Sequence, residues 1–87
     1  MNEDVKTKVK VFKALADETR LAIVLELAKH KTLTCGELSK LFPLSQPTLS
    51  HHFNKLIAVD VINANKNATH MIYSLNKTYL KQIGFTF

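Results

Sequence analysis

At 87 residues, with 46% hydrophobic and 22% charged side chains, the chain matches one globular domain, 1–87, and not a disordered or low-complexity segment. Its single cysteine, Cys35, excludes an internal disulfide and a four-cysteine zinc site. The net charge of +5, with eleven lysines and Arg20 set against seven acids, points to a polyanionic partner.

Residues 4–16 place Val5, Val9, Phe12 and Ala16 on one stripe of a first helix, and Val11 and Leu15 widen it. Two apolar stripes predict two neighbours, the domain's own core and a second subunit. Asp17 caps a second helix over 18–30, with acidic side chains at the positive end of its dipole. There Leu21, Ala22, Ile23, Val24, Leu25, Leu27 and Ala28 leave hardly any polar face, which predicts a helix buried at the centre. The stretch Thr34, Cys35, Gly36, Glu37 has capping-box spacing and opens a short third helix that ends near Phe42, before Pro43.

Ser45 opens a fourth helix over 45–58, where Pro47 is tolerated because a first-turn residue has no intrahelical acceptor to lose. After Asp60 the period changes. Val61 and Ile62, then Met71, Ile72 and Tyr73, are strand-like, with 63–70 a polar hairpin tip between them, so a wing is expected over 61–75. A last helix, 76–83, carries Tyr79, Leu80 and Ile83 and is followed by Phe85 and Phe87. Mainly α with a small β-hairpin, about five helices and a two-stranded wing, this order predicts a winged helix-turn-helix.

At about 100° per residue, Leu49, His52, Phe53 and Leu56 share a ~100° sector of the fourth helix. Gln46, Pro47, Ser50, His51 and Asn54 spread over about 140° on the other side, with Thr48 and Lys55 at the margin. The adjacent histidines therefore point apart and do not make the i, i+4 ligand pair of a helical metal site. His52 belongs with the core edge and His51 with the polar face. That face is small, neutral and able both to donate and to accept, which suits base edges in a major groove. Gln46, at the N-terminal end, is the candidate for a base contact, while Thr48, Ser50 and the free amides suit phosphate oxygens. His51 and Asn54 reach either.

Two stretches resemble the ArsR/SmtB family of winged-helix transcriptional repressors. FKALADETRLAIVLEL is similar to its K-A-L-A-D-P-T-R-L-x-I-L segment, with Glu18 in place of the proline. LTCGELSKLFPLSQPTLSHHFNKL is similar to its E-L-A-x-x-L-x-L-S-Q-S/P-T-V-S-x-H-L-x-x-L segment. The likeness runs ungapped from about Phe12 through MIYSL, where the family has a V-Y-Y-x-L strand, to Leu75. It implies a homodimer joined through helices 4–16 and 76–87, with Val5, Val9, Phe12, Tyr79, Leu80 and Ile83 as interface candidates. It also implies two recognition helices in successive major grooves of a double-stranded DNA operator. Ser45, Gln46, Pro47, Thr48, Ser50 and His51 fall in the family's DNA-reading segment, Asn54 and Lys55 extend it, and Asn65, Lys66 and Asn67 fall in its wing. Arg20 matches the second-helix arginine, either a phosphate contact or a structural ion pair.

The departures are specific. Where metal-sensing members carry C-V-C, this chain has Thr34, Cys35 and Gly36, so both ligand positions are lost. The last segment, NKTYLKQIGFTF, contains no His, Asp or Glu for the other family zinc site. No metal and no cofactor are expected. Asp60 and Ala68 replace two family glycines, and Asn67 is the expected carrier of any left-handed conformation in the wing turn.

Catalysis is not expected. Cys35 with His30 is the only visible nucleophile–base pairing, and the sequence has neither a Gly-rich phosphate loop nor G-x-S-x-G. The longest strongly apolar run, 21–25, is far short of the roughly 18 residues of a membrane span, and MNEDVKTKVK has no apolar signal core. A cytoplasmic protein with no membrane partner is expected. A domain this small buries only about 60% of its unfolded surface, which favours a dimer. The expected function is a dimeric, sequence-specific transcriptional repressor. Two alternatives stay open: a regulator sensing redox through Cys35, and a protein-interaction module using the apolar terminal helices.

Overall fold

The computed structural model describes residues 2–87. Helix α1 spans Glu3–Leu15 and starts where the Asn2 Oδ1 accepts the Val5 backbone N–H at 2.9 Å. Val11 and Ala14 enter the core, whereas Val5, Val9 and Phe12 face outward, as a two-stripe helix requires. Helix α2, Glu18–Lys29, is capped by Asp17, whose Oδ2 accepts from the Arg20 backbone N–H at 3.0 Å. Its burial is less complete than its composition predicts. Ile23, Val24 and Leu27 are enclosed, but Leu21 and Leu25 are 38% and 46% exposed. The domain supplies neighbours on one side of α2 only, and these two leucines lie on the other.

A two-residue strand, β1 (Leu33–Thr34), leads into α3, Cys35–Leu41. The capping box is complete: the Glu37 N–H donates to Thr34 Oγ1 at 3.1 Å and the Thr34 N–H donates to Glu37 Oε1 at 2.9 Å. Helix α4 spans Gln46–Ala58 with Ser45 as N-cap and Pro47 in the first turn. It ends in a Schellman motif, in which the Val61 N–H reaches Leu56 O and the Asp60 N–H reaches Ile57 O. That motif places Asp60 at φ 62°, a conformation normally left to glycine.

The wing is longer and its tip tighter than the polarity of 63–70 predicts. Strands β2 (Ile62–Asn67) and β3 (His70–Leu75) pair antiparallel from Ile62↔Leu75 to Asn67↔His70, leaving a turn of Ala68 and Thr69. Both faces of the outer hairpin meet solvent, so polar residues occupy the ladder there without disrupting it. Ala68, at φ 57°, takes the left-handed position itself, and not Asn67. A two-residue turn that twists with its strands requires positive φ at its first central residue. The sheet has three strands and not two, in the order β1-β3-β2, with Leu33↔Tyr73 and Thr34↔Ile72 in register. Two residues show no alternation by themselves, which hides β1 from a sequence reading.

Helix α5, Lys77–Gln82, is capped by Asn76 and closed by a second Schellman motif around Gly84 at φ 89°. Here the Phe85 N–H donates to Leu80 O at 2.8 Å and the Gly84 N–H to Lys81 O at 3.2 Å. The turn brings the Phe85 ring edge-on to Phe12, with centroids 4.9 Å apart. One hydrophobic core joins all five helices to the sheet through Val11, Leu27, Leu38, Phe53, Tyr73 and Leu80. The Phe53 and Tyr73 rings lie 4.4 Å apart at its centre. Leu80, a sequence candidate for the subunit interface, is 2% exposed within its own protomer and is a core residue instead. Among the described residues no helix is long and apolar enough to cross a membrane.

Candidate nucleic-acid interface

The 3.6-residue period of α4 divides it into two surfaces. Leu49, Phe53 and Leu56 are buried, which locks the helix onto the core. Gln46, Pro47, Thr48, His51, Asn54 and Lys55 are exposed, and Ser50 is half-buried beside them. The Ser45 hydroxyl accepts the Thr48 N–H at 3.3 Å and donates to Thr48 Oγ1 at 2.8 Å, so cap and side chain hold each other. Of the first-turn residues, Pro47 has no N–H and Thr48 is capped, so the Gln46 amide is the one left for an anion. The hairpin carries Asn65, Lys66 and Asn67 exposed on β2, and His70 exposed opposite Asn67.

Arg20 is turned inward. Its Nε donates to Ala14 O, its Nη1 lies 3.3 Å from His52 Nδ1, and His52 Nδ1 lies 3.8 Å from Asp17 Oδ2. These contacts tie the end of α1, the start of α2 and the inner side of α4. The guanidinium only donates, so its bond to His52 requires Nδ1 to be the unprotonated, accepting nitrogen. The Arg20 backbone N–H holds the Asp17 carboxyl below its ordinary range, with the Arg20 charge acting in the same direction. The Glu37 carboxyl is lowered for a parallel reason, the backbone N–H of Thr34 that it accepts. His51 lies exposed beside this cluster, its ring edge-on to that of His52 with centroids 5.8 Å apart.

Two clefts flank the exposed face of α4. On the wing side, a cleft of about 350 Å³ is lined by Cys35, Ser39, Gln46, Ser50, His70 and Tyr73. Within it Gln46 Nε2 lies 4.0 Å from Cys35 Sγ, a contact between the sole thiol and the foremost base-reading candidate. Burial raises the Tyr73 phenol above its ordinary value, and Cys35 adds in the same direction. On the other side, a cleft of about 420 Å³ runs between α1 and α4, lined by Lys10, Lys13, Arg20, His51, Asn54 and Lys55. Lys10 and Lys13, which line this cleft, were not among the candidates that the sequence singled out. The available signal was the spacing of Lys6, Lys10 and Lys13, at i, i+4 and i+7 on one flank of α1.

Other sequence candidates lie apart. His30 contacts Glu26 at 3.8 Å, and among the described residues no hydrogen bond joins it to Cys35. Among the described residues no group of three His, Cys, Asp or Glu side chains is placed to hold a metal ion. Val5, Val9 and Phe12 form an exposed apolar strip on α1, while Tyr79 and Ile83 are half-buried beside the core.

A family model described as a helix-turn-helix domain matches residues 15–63. The transcriptional repressor SdpR of Bacillus subtilis is 41% identical over 71 residues, covering 82% of this chain and 78% of that one. The arsenical resistance operon repressor of Staphylococcus xylosus is 37% identical over 74 residues, covering 85% and 70%. Among solved structures, HlyU of Vibrio cholerae, named as a transcriptional activator, superposes with a TM-score of 0.84 at 35% identity, over 95% of this chain and 89% of that one. Fold, exposed helix face and relatives define a winged helix-turn-helix transcription regulator that binds DNA, not an enzyme. Within that class the chain belongs to the ArsR family.

Proposed function

We propose that the protein is a homodimeric repressor that reads a two-half-site operator in double-stranded DNA, with one α4 in each of two successive major grooves. The carrying observation is the exposed polar face of α4, with Gln46 foremost and His51 and Asn54 behind it, on a helix anchored by Leu49, Phe53 and Leu56. In this arrangement Gln46 reads a base edge, while Ser45, Pro47, Thr48 and Ser50 set the helix start against the backbone. Lys55 and Lys66 supply phosphate contacts on either side. Arg20 acts structurally through Ala14 and His52. The exposed Val5, Val9 and Phe12 strip, extended by Phe85 and Phe87, pairs two copies across a dyad. Repression follows the naming of the SdpR and arsenical-operon relatives. The protein acts in the cytoplasm, without metal or other cofactor.

Selecting bound sites from a random duplex pool tests this directly. Half-sites one helical turn apart are expected, and single, unpaired sites overturn the dimeric reading. Gln46→Ala is expected to relax selectivity at one position of each half-site by about 1–3 kcal/mol, with stability unchanged within about 0.5 kcal/mol. Unaltered base preference in the same selection assigns the reading face elsewhere.

The Cys35–Gln46 contact favours a second reading, in which oxidation of Cys35 displaces Gln46 and weakens operator binding. Peroxide is then expected to lower the affinity of the native protein severalfold and leave Cys35→Ser unaffected. An equal response of both proteins rejects it.

A further inference from the structure

We propose that the seam between α1 and α4 is a phosphate-binding site, in which Lys10 and Lys13 of α1 act together with Lys55 of α4. Two helical stripes build it. Lys10, Lys13 and Ala14 stand at i, i+3 and i+4 on α1, and His51, Asn54, Lys55 and Ala58 at i, i+3, i+4 and i+7 on α4. Facing each other, they enclose a cleft of about 420 Å³ whose lining contains three lysines, Arg20, an imidazole and an amide, and no carboxylate. The small side chains of Ala14 and Ala58 leave room between the cations.

The charges in this cleft are uncompensated by their surroundings. Elsewhere on α1, Lys6 pairs with Glu3 at 3.9 Å and Lys8 with Asp4 at 3.6 Å. Among the described residues no carboxylate lies within ion-pair distance of Lys10, Lys13 or Lys55. Asp17, the acid at the start of α2, is taken up by the Arg20 backbone N–H and faces His52. Asp60 borders an adjoining cleft that shares Lys10, Ala58 and Val59 with this one. Like charges held side by side repel, and a bound oxyanion with several acceptor oxygens relieves that repulsion.

The location favours a DNA backbone phosphate as its source. His51 and Asn54 border both the cleft and the exposed face of α4, so an anion in the seam lies at the edge of the groove that α4 enters. The apolar Val5, Val9 and Phe12 strip is turned away from Lys10, which stays free when two copies pair, while Lys13, at i+4 from Val9, stands at the margin of the strip and lines the seam. In this form the inference rests on the DNA-binding reading. The same chemistry accepts a free phosphorylated small molecule, and the test separates the two.

The native protein and the double variant Lys10→Gln/Lys13→Gln are titrated with mixed-sequence duplex between 50 and 200 mM salt, roughly the range over which phosphate contacts dominate the salt dependence. Both lysines are exposed, and circular dichroism verifies that the variant is folded. Each lost contact is expected to make the slope of log affinity against log salt shallower by about 0.9, so by about 2 in the double variant. Lys8→Gln, on the opposite flank of α1, is the control and is expected to keep more of the native slope. A second arm adds inorganic pyrophosphate and follows the amide resonances of 10–14 and 51–58. Shifts seen in the native protein and absent from the variant, with an unchanged duplex slope, support the site and identify a free phosphorylated ligand as its occupant. A native slope together with no pyrophosphate shift overturns the site. Failure of the native protein to bind any duplex counts against the DNA-binding reading instead, and the pyrophosphate arm then decides the seam by itself.

Discussion

Phe12→Asp is expected to give a folded monomer whose affinity for a two-half-site operator is lower by about 10²–10⁴-fold, the gain that linking two binding modules provides. Phe12 is 57% exposed in the protomer, one turn beyond the outward-facing Val9 on the same strip, so its substitution removes little from the core. The local loss is its edge-on contact with Phe85, worth about 0.5–1.5 kcal/mol. In a dimer joined through this strip the introduced carboxylate faces its own copy across the dyad, and burying it without a partner opposes association strongly. The mass in solution and a gel-shift titration on paired and single half-sites measure both effects. A variant that keeps a dimer mass and native operator affinity places the subunit contact elsewhere.

Phe53→Ala is expected to act through the fold. Phe53 is 1% exposed, at the centre of the core, with its ring 4.4 Å from that of Tyr73. Truncating a buried phenylalanine costs about 3–5 kcal/mol, a large share of the roughly 5–15 kcal/mol that holds a small domain. With a urea dependence of about 1–3 kcal/mol per M, the unfolding midpoint falls by at least about 1 M. Phe53 also fixes α4 beneath its exposed face, so DNA binding falls in proportion to the unfolded fraction. Gln46→Ala separates the two levels: it alters the surface of α4 and leaves that anchor in place. A native midpoint for Phe53→Ala removes this residue from the core's energetics.

How much of this was legible in the sequence depends on the distance over which each feature is decided. Asp17, Thr34 with Glu37, and Ser45 marked the starts of α2, α3 and α4 because a cap acts on backbone amides three residues away. The inward Phe53 and outward His51 of α4 followed from helical period for the same reason. The left-handed positions were placed less well. Asp60 and Ala68 were read as missing glycines, whereas the backbone keeps the conformation at both positions because a Schellman motif and a two-residue turn require it.

Helix order, caps and the polar face of α4 were therefore determined by the sequence alone, since each rests on relations three or four residues apart. Packing decided the rest. It paired β1 with β3 across Leu33 and Tyr73, drew Leu80 into the core, left Leu21 and Leu25 in solvent, and joined Arg20 to His52. It also set Lys10 and Lys13 of α1 beside Lys55 of α4. The physical reason is that a helical period states which side chains share a face, and only the docking of whole elements determines what that face meets.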